Sequence, residues 1–69
     1  MNLLEHYIKE VHWVDDVTNH FIEKNGYEPN EPLYKVELTY DCYGQTEREI
    51  RYFYKSDWEK ATLKGYFMA

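Results

Sequence analysis

From Leu33 to Lys55 the chain reads LYKVELTYDCYGQTEREIRYFYK, and apolar and polar positions alternate along both halves. Tyr34, Val36, Leu38 and Tyr40 alternate with Lys35, Glu37, Thr39 and Asp41; Ile50, Tyr52 and Tyr54 alternate with Glu49, Arg51, Phe53 and Lys55. A period of two sends successive side chains to opposite faces, so the stretch predicts two half-buried strands joined as a β-hairpin. If the two apolar sets are to share a face, the loop needs three residues, Cys42-Tyr43-Gly44, with Gly44 in the left-handed position that closes it. That register sets Asp41 against Gln45, Val36 against Ile50 and Tyr34 against Tyr52. It turns Glu37, Glu49, Arg51 and Phe53 outward, where direct like-charge pairs repel and the diagonals Glu37–Arg51 and Lys35–Glu49 attract.

The pattern before the hairpin has a different period. Leu4, Ile8 and Val11 are spaced by four and three, with Leu3 and Tyr7 on the adjoining strip, which predicts an amphipathic helix opening at Asn2. Glu5 in its first turn complements the helix dipole and pairs with Lys9. Val14, Val17, Phe21 and Ile22 prolong the stripe, so one helix to Lys24 is an alternative. Asp15-Asp16 offers a fresh cap, and two helices over 2–12 and 16–24 are the favoured reading. Asn25-Gly26 ends either version, and Gly26 to Pro32 is a loop held extended by two prolines. After the hairpin, Ser56-Asp57-Trp58-Glu59 reads as a capping box for a helix Asp57 to Lys64 that stops at Gly65. The apolar tail Tyr66-Phe67-Met68-Ala69 is expected to dock on its own core or on another chain. The predicted architecture is α+β over 1–69 as a single domain: N-terminal helix or two helices, antiparallel β-hairpin, C-terminal helix, with the helices on one face of the ribbon.

Sixty-nine residues allow only a small core, and a bare two-stranded ribbon is marginal, so a homodimer that joins ribbon edges or apolar tails is an expected partner arrangement. One cysteine excludes an internal disulfide, and the net charge of −5 argues against direct nucleic-acid binding, which needs clustered Lys and Arg. The start lacks a basic region and an apolar run of signal-peptide type, and no stretch is long and apolar enough to span a membrane. A cytoplasmic protein of a bacterial cell, with no membrane contact, is the expectation.

Candidate chemistry is sparse. His12, Asp16 and His20 fall at i, i+4 and i+8 on an unbroken helix, where the outer two lie roughly 12 Å apart along the axis and cannot share an ion. Cys42 lies beside Asp41, whose charge makes a thiol less reactive. Three glycines form no phosphate loop. No catalytic residue, metal or cofactor is therefore assigned. The aromatic excess stands apart: eight Tyr, three Phe and two Trp are more than so small a core can hide, and exposed rings are what protein interfaces use.

The opening MNLLEHYIKEVH, the hairpin segment LTYDCYG and the ending WEK…KGYFMA together resemble a group of small uncharacterised proteins encoded by phages and mobile elements of Firmicutes. The resemblance implies context: small acidic phage proteins often bind and block a host protein, defence nucleases included, and some imitate the charge of DNA. The expected function is a non-enzymatic protein that engages and inhibits or modulates a bacterial host protein. Its expected contact residues are Tyr27, Glu28, Glu31, Glu37, Tyr43, Glu47, Glu49, Arg51 and Phe53. The alternative is a small-ligand, nucleotide-sequestering protein with an aromatic stacking site.

Overall fold

The computed structural model describes residues 3–69; the expected cap at Asn2 lies outside them. The elements are β1 (Glu5–Asp16), α1 (Thr18–Asn25), β2 (Leu33–Cys42), β3 (Gln45–Tyr54), α2 (Lys55–Lys64) and β4 (Tyr66–Met68). The four strands form one antiparallel sheet in the order β3-β2-β1-β4, curled into a half-barrel. The chain is α+β with a β-hairpin, as its composition of elements predicts, but the layout is not helix, hairpin, helix.

The main correction is the N-terminal segment, which is a strand. Tyr7, Ile8, Val11, Trp13 and Val14 are β-branched or aromatic, types that favour a pleated surface over a helix. The helical spacing arises from two irregularities. β1 pairs Ile8 with Tyr40, Glu10 with Thr39, Val11 with Leu38 and Trp13 with Glu37, so its register against β2 shifts between Ile8 and Glu10 and again between Val11 and Trp13. Each bulge adds a residue, and the positions paired to inward-facing β2 residues become 8, 11 and 14. A spacing of three in a bulged strand is indistinguishable by count from one stripe of a helix. The helical segment begins only at Thr18, where the Asp16 carboxylate accepts from the Thr18 backbone N–H at 3.0 Å, and it ends at Gly26 in the left-handed conformation.

The hairpin turn is the second correction. The loop has two residues, Tyr43 at φ 50° and Gly44 at φ 84°, between the paired Cys42 and Gln45. Positive φ at both positions is the turn whose twist matches a β-ribbon. The register moves by one residue from the expected one: Val36 opposes Arg51, Leu38 opposes Glu49 and Tyr34 opposes Phe53. Every side chain of β3 therefore exchanges faces. Phe53, Arg51 and Glu49 point to the concave side; Ile50 and Tyr52, expected inside, are 47% and 59% exposed on the convex side. The concave side admits Arg51 because its guanidinium lies over the Tyr40 and Phe67 rings, 5.6 and 5.3 Å from their centroids, while its stem covers apolar surface.

β3 and β4 are the two edges of the sheet, so the helix joining them, α2, must cross one face of it. It crosses the concave face, setting Trp58 and Ala61, three positions apart on one side of the helix, into a core with Val36, Leu38, Tyr40 and Phe67. Phe53 packs its ring 5.1 Å from Trp58 and 5.2 Å from Phe67. The apolar tail is β4: Phe67 pairs with His6, and their rings stack at 5.1 Å. Val36 and Leu38 are fully buried, each worth about 1.5–3 kcal/mol of burial. The start of α2 is a third correction. The expected reciprocal Ser56–Glu59 box is replaced by Glu31 of the preceding loop, whose carboxylate accepts from the Ser56 N–H at 2.6 Å and from the Ser56 hydroxyl at 3.0 Å. These bonds hold the Glu31 carboxyl below its ordinary pKa.

Candidate functional site

With α2 on the concave side, the convex face of the half-barrel is left to solvent over β1, β2 and β3. Side chains of three strands line up on it in rungs: Trp13–Glu37–Ile50, Asp15–Lys35–Tyr52 and Glu10–Thr39–Arg48. Trp13 is 38% exposed. At the β4 side Tyr7 and Tyr66 pair their rings at 5.5 Å. α1 hangs at the Leu33 end, where Leu33 O accepts from the Val17 N–H and the Leu33 N–H donates to the Thr18 hydroxyl.

Polar groups on this face are ordered among themselves. Arg48 Nη2 donates to Glu37 Oε1 at 3.1 Å. That bond, with Arg48's charge and smaller contributions from the Trp13 indole and His12, outweighs partial desolvation and holds the Glu37 carboxyl below its ordinary pKa. Beside it, His12 lies 3.0 Å from Glu10 through Nδ1 and 2.8 Å from the Thr39 hydroxyl through Nε2. A carboxylate only accepts, so Nδ1 carries the proton toward Glu10, and in the neutral ring Nε2 accepts from Thr39. The result is a patch of aromatic and aliphatic surface around a fixed acid–base array, the mixture found at the centre and rim of protein interfaces.

The residues expected from sequence to make the contact are placed in five different settings. Glu37 lies on the convex face. Tyr43 occupies the hairpin turn, 76% exposed, and Tyr27 is exposed beside α1 with its ring edge-on to Phe21 at 5.4 Å, next to the exposed Glu28. Glu31 caps α2. Glu47, Glu49, Arg51 and Phe53 belong to the concave side, where Glu47 accepts from the Tyr40 hydroxyl at 3.2 Å and Glu49 pairs with Arg51. The buried Arg51 Nε touches the Glu49 carboxylate without hydrogen-bond alignment. Glu10, Trp13, Asp15, Lys35, Thr39, Arg48, Ile50 and Tyr52 complete the convex rungs and are absent from the expected set. Gly44 suits a two-residue as well as a three-residue turn and Tyr43 carries no preference for positive φ, so no local signal points to Ile50 and Tyr52; the two-residue turn reverses the faces of β3.

His12, Asp16 and His20 sit on a strand, a strand end and a helix. Among the described residues, no group of three or more His, Cys, Asp or Glu is arranged to hold a metal ion. Cys42 is half-buried beside a dimple of about 320 Å³ that His6, Tyr40 and Glu47 also line. A larger groove, about 690 Å³, follows β3 and α2 and is walled by Phe53, Phe67, Lys60 and Lys64 among others. Among the described residues, no helix is long and apolar enough to cross a membrane. No family model, characterised protein or solved structure matches the chain.

Proposed function

We propose that the protein is a non-enzymatic binding module that engages a bacterial host protein through the convex face of its sheet. The observation that carries this is the helix-free rung Trp13–Glu37–Ile50 with its neighbour Asp15–Lys35–Tyr52, which leaves three large apolar side chains at 38, 47 and 59% exposure in one patch. Exposed Trp and Tyr flanked by a preformed charge pair supply anchor residues with little conformational freedom to lose on binding. Phage or mobile-element origin, which the sequence resemblance implies, belongs to the same proposal, and so does inhibition of the partner.

Apolar anchoring is favoured over imitation of nucleic-acid charge. Glu37, Glu47 and Glu49 do not form one row: the first lies on the convex face with Arg48, and the other two lie on the concave side. Binding should accordingly change little between low and moderate salt, whereas a charge mimic loses affinity steeply.

The test is affinity capture from a Firmicute lysate with mass spectrometry, run in parallel with Trp13→Ala, Tyr52→Ala and a control, Glu59→Lys, on the exposed side of α2. A partner held by the wild type and the control and lost from both face variants supports the proposal. Equal capture by all four proteins overturns it. The groove beside α2, aromatic on one wall and carrying Lys60 and Lys64, favours a second reading as a nucleotide site. Thermal-shift screening against nucleotides decides that reading, and no stabilised condition rejects it.

A further inference from the structure

We propose that two copies of this chain join along the free edge of β3, about a twofold axis at Ile50, so that their sheets become one. The inference stands on the backbone edge of β3, although Ile50 and Tyr52 of the convex patch also lie at this seam.

The sheet has three stretches of unpaired edge, and they are not equivalent. β4 has three residues. β1 beyond Tyr7, where its pairing with β4 ends, carries both bulges, and bulges spoil an edge for further pairing. β3 is regular over its ten residues, pairing with β2 from Gln45 to Tyr54 without a shift. Its backbone parity follows from the turn. In a two-residue hairpin the flanking residues Cys42 and Gln45 form the hydrogen-bonded pair, and such pairs recur at every second residue. The Lys55 N–H bond to Pro32 O at 2.9 Å lies on that same series. Odd-numbered residues of β3 therefore bond to β2, and Thr46, Arg48, Ile50, Tyr52 and Tyr54 aim their N–H and C=O groups outward.

A strand meeting its own copy antiparallel must oppose residues of the same face. With Ile50 on the axis, Ile50 meets Ile50, Arg48 meets Tyr52, Glu49 meets Arg51 and Glu47 meets Phe53. Opposite charges face each other on the concave side, and a guanidinium meets an aromatic ring on the convex side, both attractive cross-strand pairs. Moving the axis to Glu49 or to Arg51 sets two like charges directly opposite, which is destabilising. Of the registers centred on Glu49, Ile50 and Arg51, only the one on Ile50 places no like charges directly opposite. The groove of about 690 Å³ between α2 and the concave face opens at Arg51 to Tyr54 of this edge, and its Lys60 and Lys64 would attract the incoming Glu47 and Glu49, which lie on the same side of the sheet.

The experiment places a single cysteine at successive β3 positions in a Cys42→Ser background and follows oxidation on non-reducing gels, beside native mass spectrometry of the unmodified chain. Directly opposed residues of a hydrogen-bonded pair have Cα atoms about 5.5 Å apart, within disulfide range. Ile50→Cys should cross-link to itself; Arg48→Cys and Tyr52→Cys should cross-link when mixed and not alone; the unmodified chain should show twice the chain mass. Ile50→Lys, a change at a half-exposed site, should yield a monomer with an unaltered circular dichroism spectrum. A monomeric mass for the unmodified chain, preferential cross-linking of Glu49→Cys, or an Ile50→Lys protein that is folded and still dimeric would each overturn the proposal.

Discussion

Truncation of Phe53 and of Ile50 separates the two registers of the hairpin. The expectation from alternation puts Ile50 opposite Val36 in the core and Phe53 in solvent; the structure does the reverse. Phe53 is partly buried and contacts Trp58 and Phe67 at ring distances of 5.1 and 5.2 Å. Removing a core phenylalanine costs about 3–5 kcal/mol, and partial exposure of this one sets the loss near the low end, about 3 kcal/mol. Ile50 is 47% exposed, so Ile50→Ala forfeits roughly half of a side-chain burial, about 1 kcal/mol. In a domain of this size each kcal/mol moves Tm by about 4–8 °C, giving a fall of more than 10 °C for Phe53→Ala and about 5 °C for Ile50→Ala. Urea and thermal unfolding, followed by circular dichroism, measure both. Repeating them at two protein concentrations reveals any contribution from dissociation of a dimer, which depends on concentration, and the comparison is made where none is seen. Phe53→Leu provides a milder substitution if the alanine variant is already unfolded. A larger loss for Ile50→Ala than for Phe53→Ala would refute the register and the face assignments that follow from it.

Three further outcomes follow from the same geometry. Tyr43 holds a positive φ that L-residues with bulky side chains disfavour, so Tyr43→Asn should raise stability by about 1 kcal/mol, and Gly44→Ala at φ 84° should lower it by a similar amount, both read as Tm. The carboxyls of Glu31, Glu37 and Asp16 are all held below their ordinary pKa, chiefly by hydrogen bonds from Ser56, Arg48 and Thr18 respectively. A depressed carboxyl adds stability in full above its unfolded pKa and loses it as pH falls through the folded value. Tm should therefore drop in acid below the ordinary carboxylate range, and Glu31→Gln should flatten that drop; an unchanged acid limb contradicts the capping role. Hydrogen exchange of Glu31→Gln should also show faster exchange at the Ser56 amide than in the wild type, with the β2 amides unaffected.

What is legible is local: Gly26 and Gly65 stop helices because each takes a left-handed conformation, and the helix expected over 16–24 is found at Thr18–Asn25. The alternation along β2 reads directly because the extra residues of its ladder with β1 lie on β1, and it pairs with β3 without a shift. β1 is misleading for a geometric reason: two inserted residues convert a period of two into a spacing of three, which counts as a helical stripe. β3 is misleading for a chemical one. Its concave positions include Glu47, Glu49 and Arg51, polar by type, while Ile50 and Tyr52 face water. An edge strand beside a partly open groove tolerates that inversion, and only the two-residue length of the turn at Tyr43-Gly44 in the structure reveals it. The capping of α2 by Glu31, twenty-five residues before Ser56, depends on tertiary approach and has no local signature.

The candidate surface inherits both difficulties. Glu37 is recoverable from alternation alone, but Trp13 enters only when β1 is recognised as a strand, and Ile50 and Tyr52 only when the register moves. Amide chemical-shift mapping of the isotopically labelled protein, titrated with the partner that the wild type captures, locates the contact surface. Perturbations should concentrate on Trp13, Asp15, Lys35, Glu37, Ile50 and Tyr52. Perturbations concentrated on α2 and the concave groove, with the convex rungs unmoved, would contradict that placement.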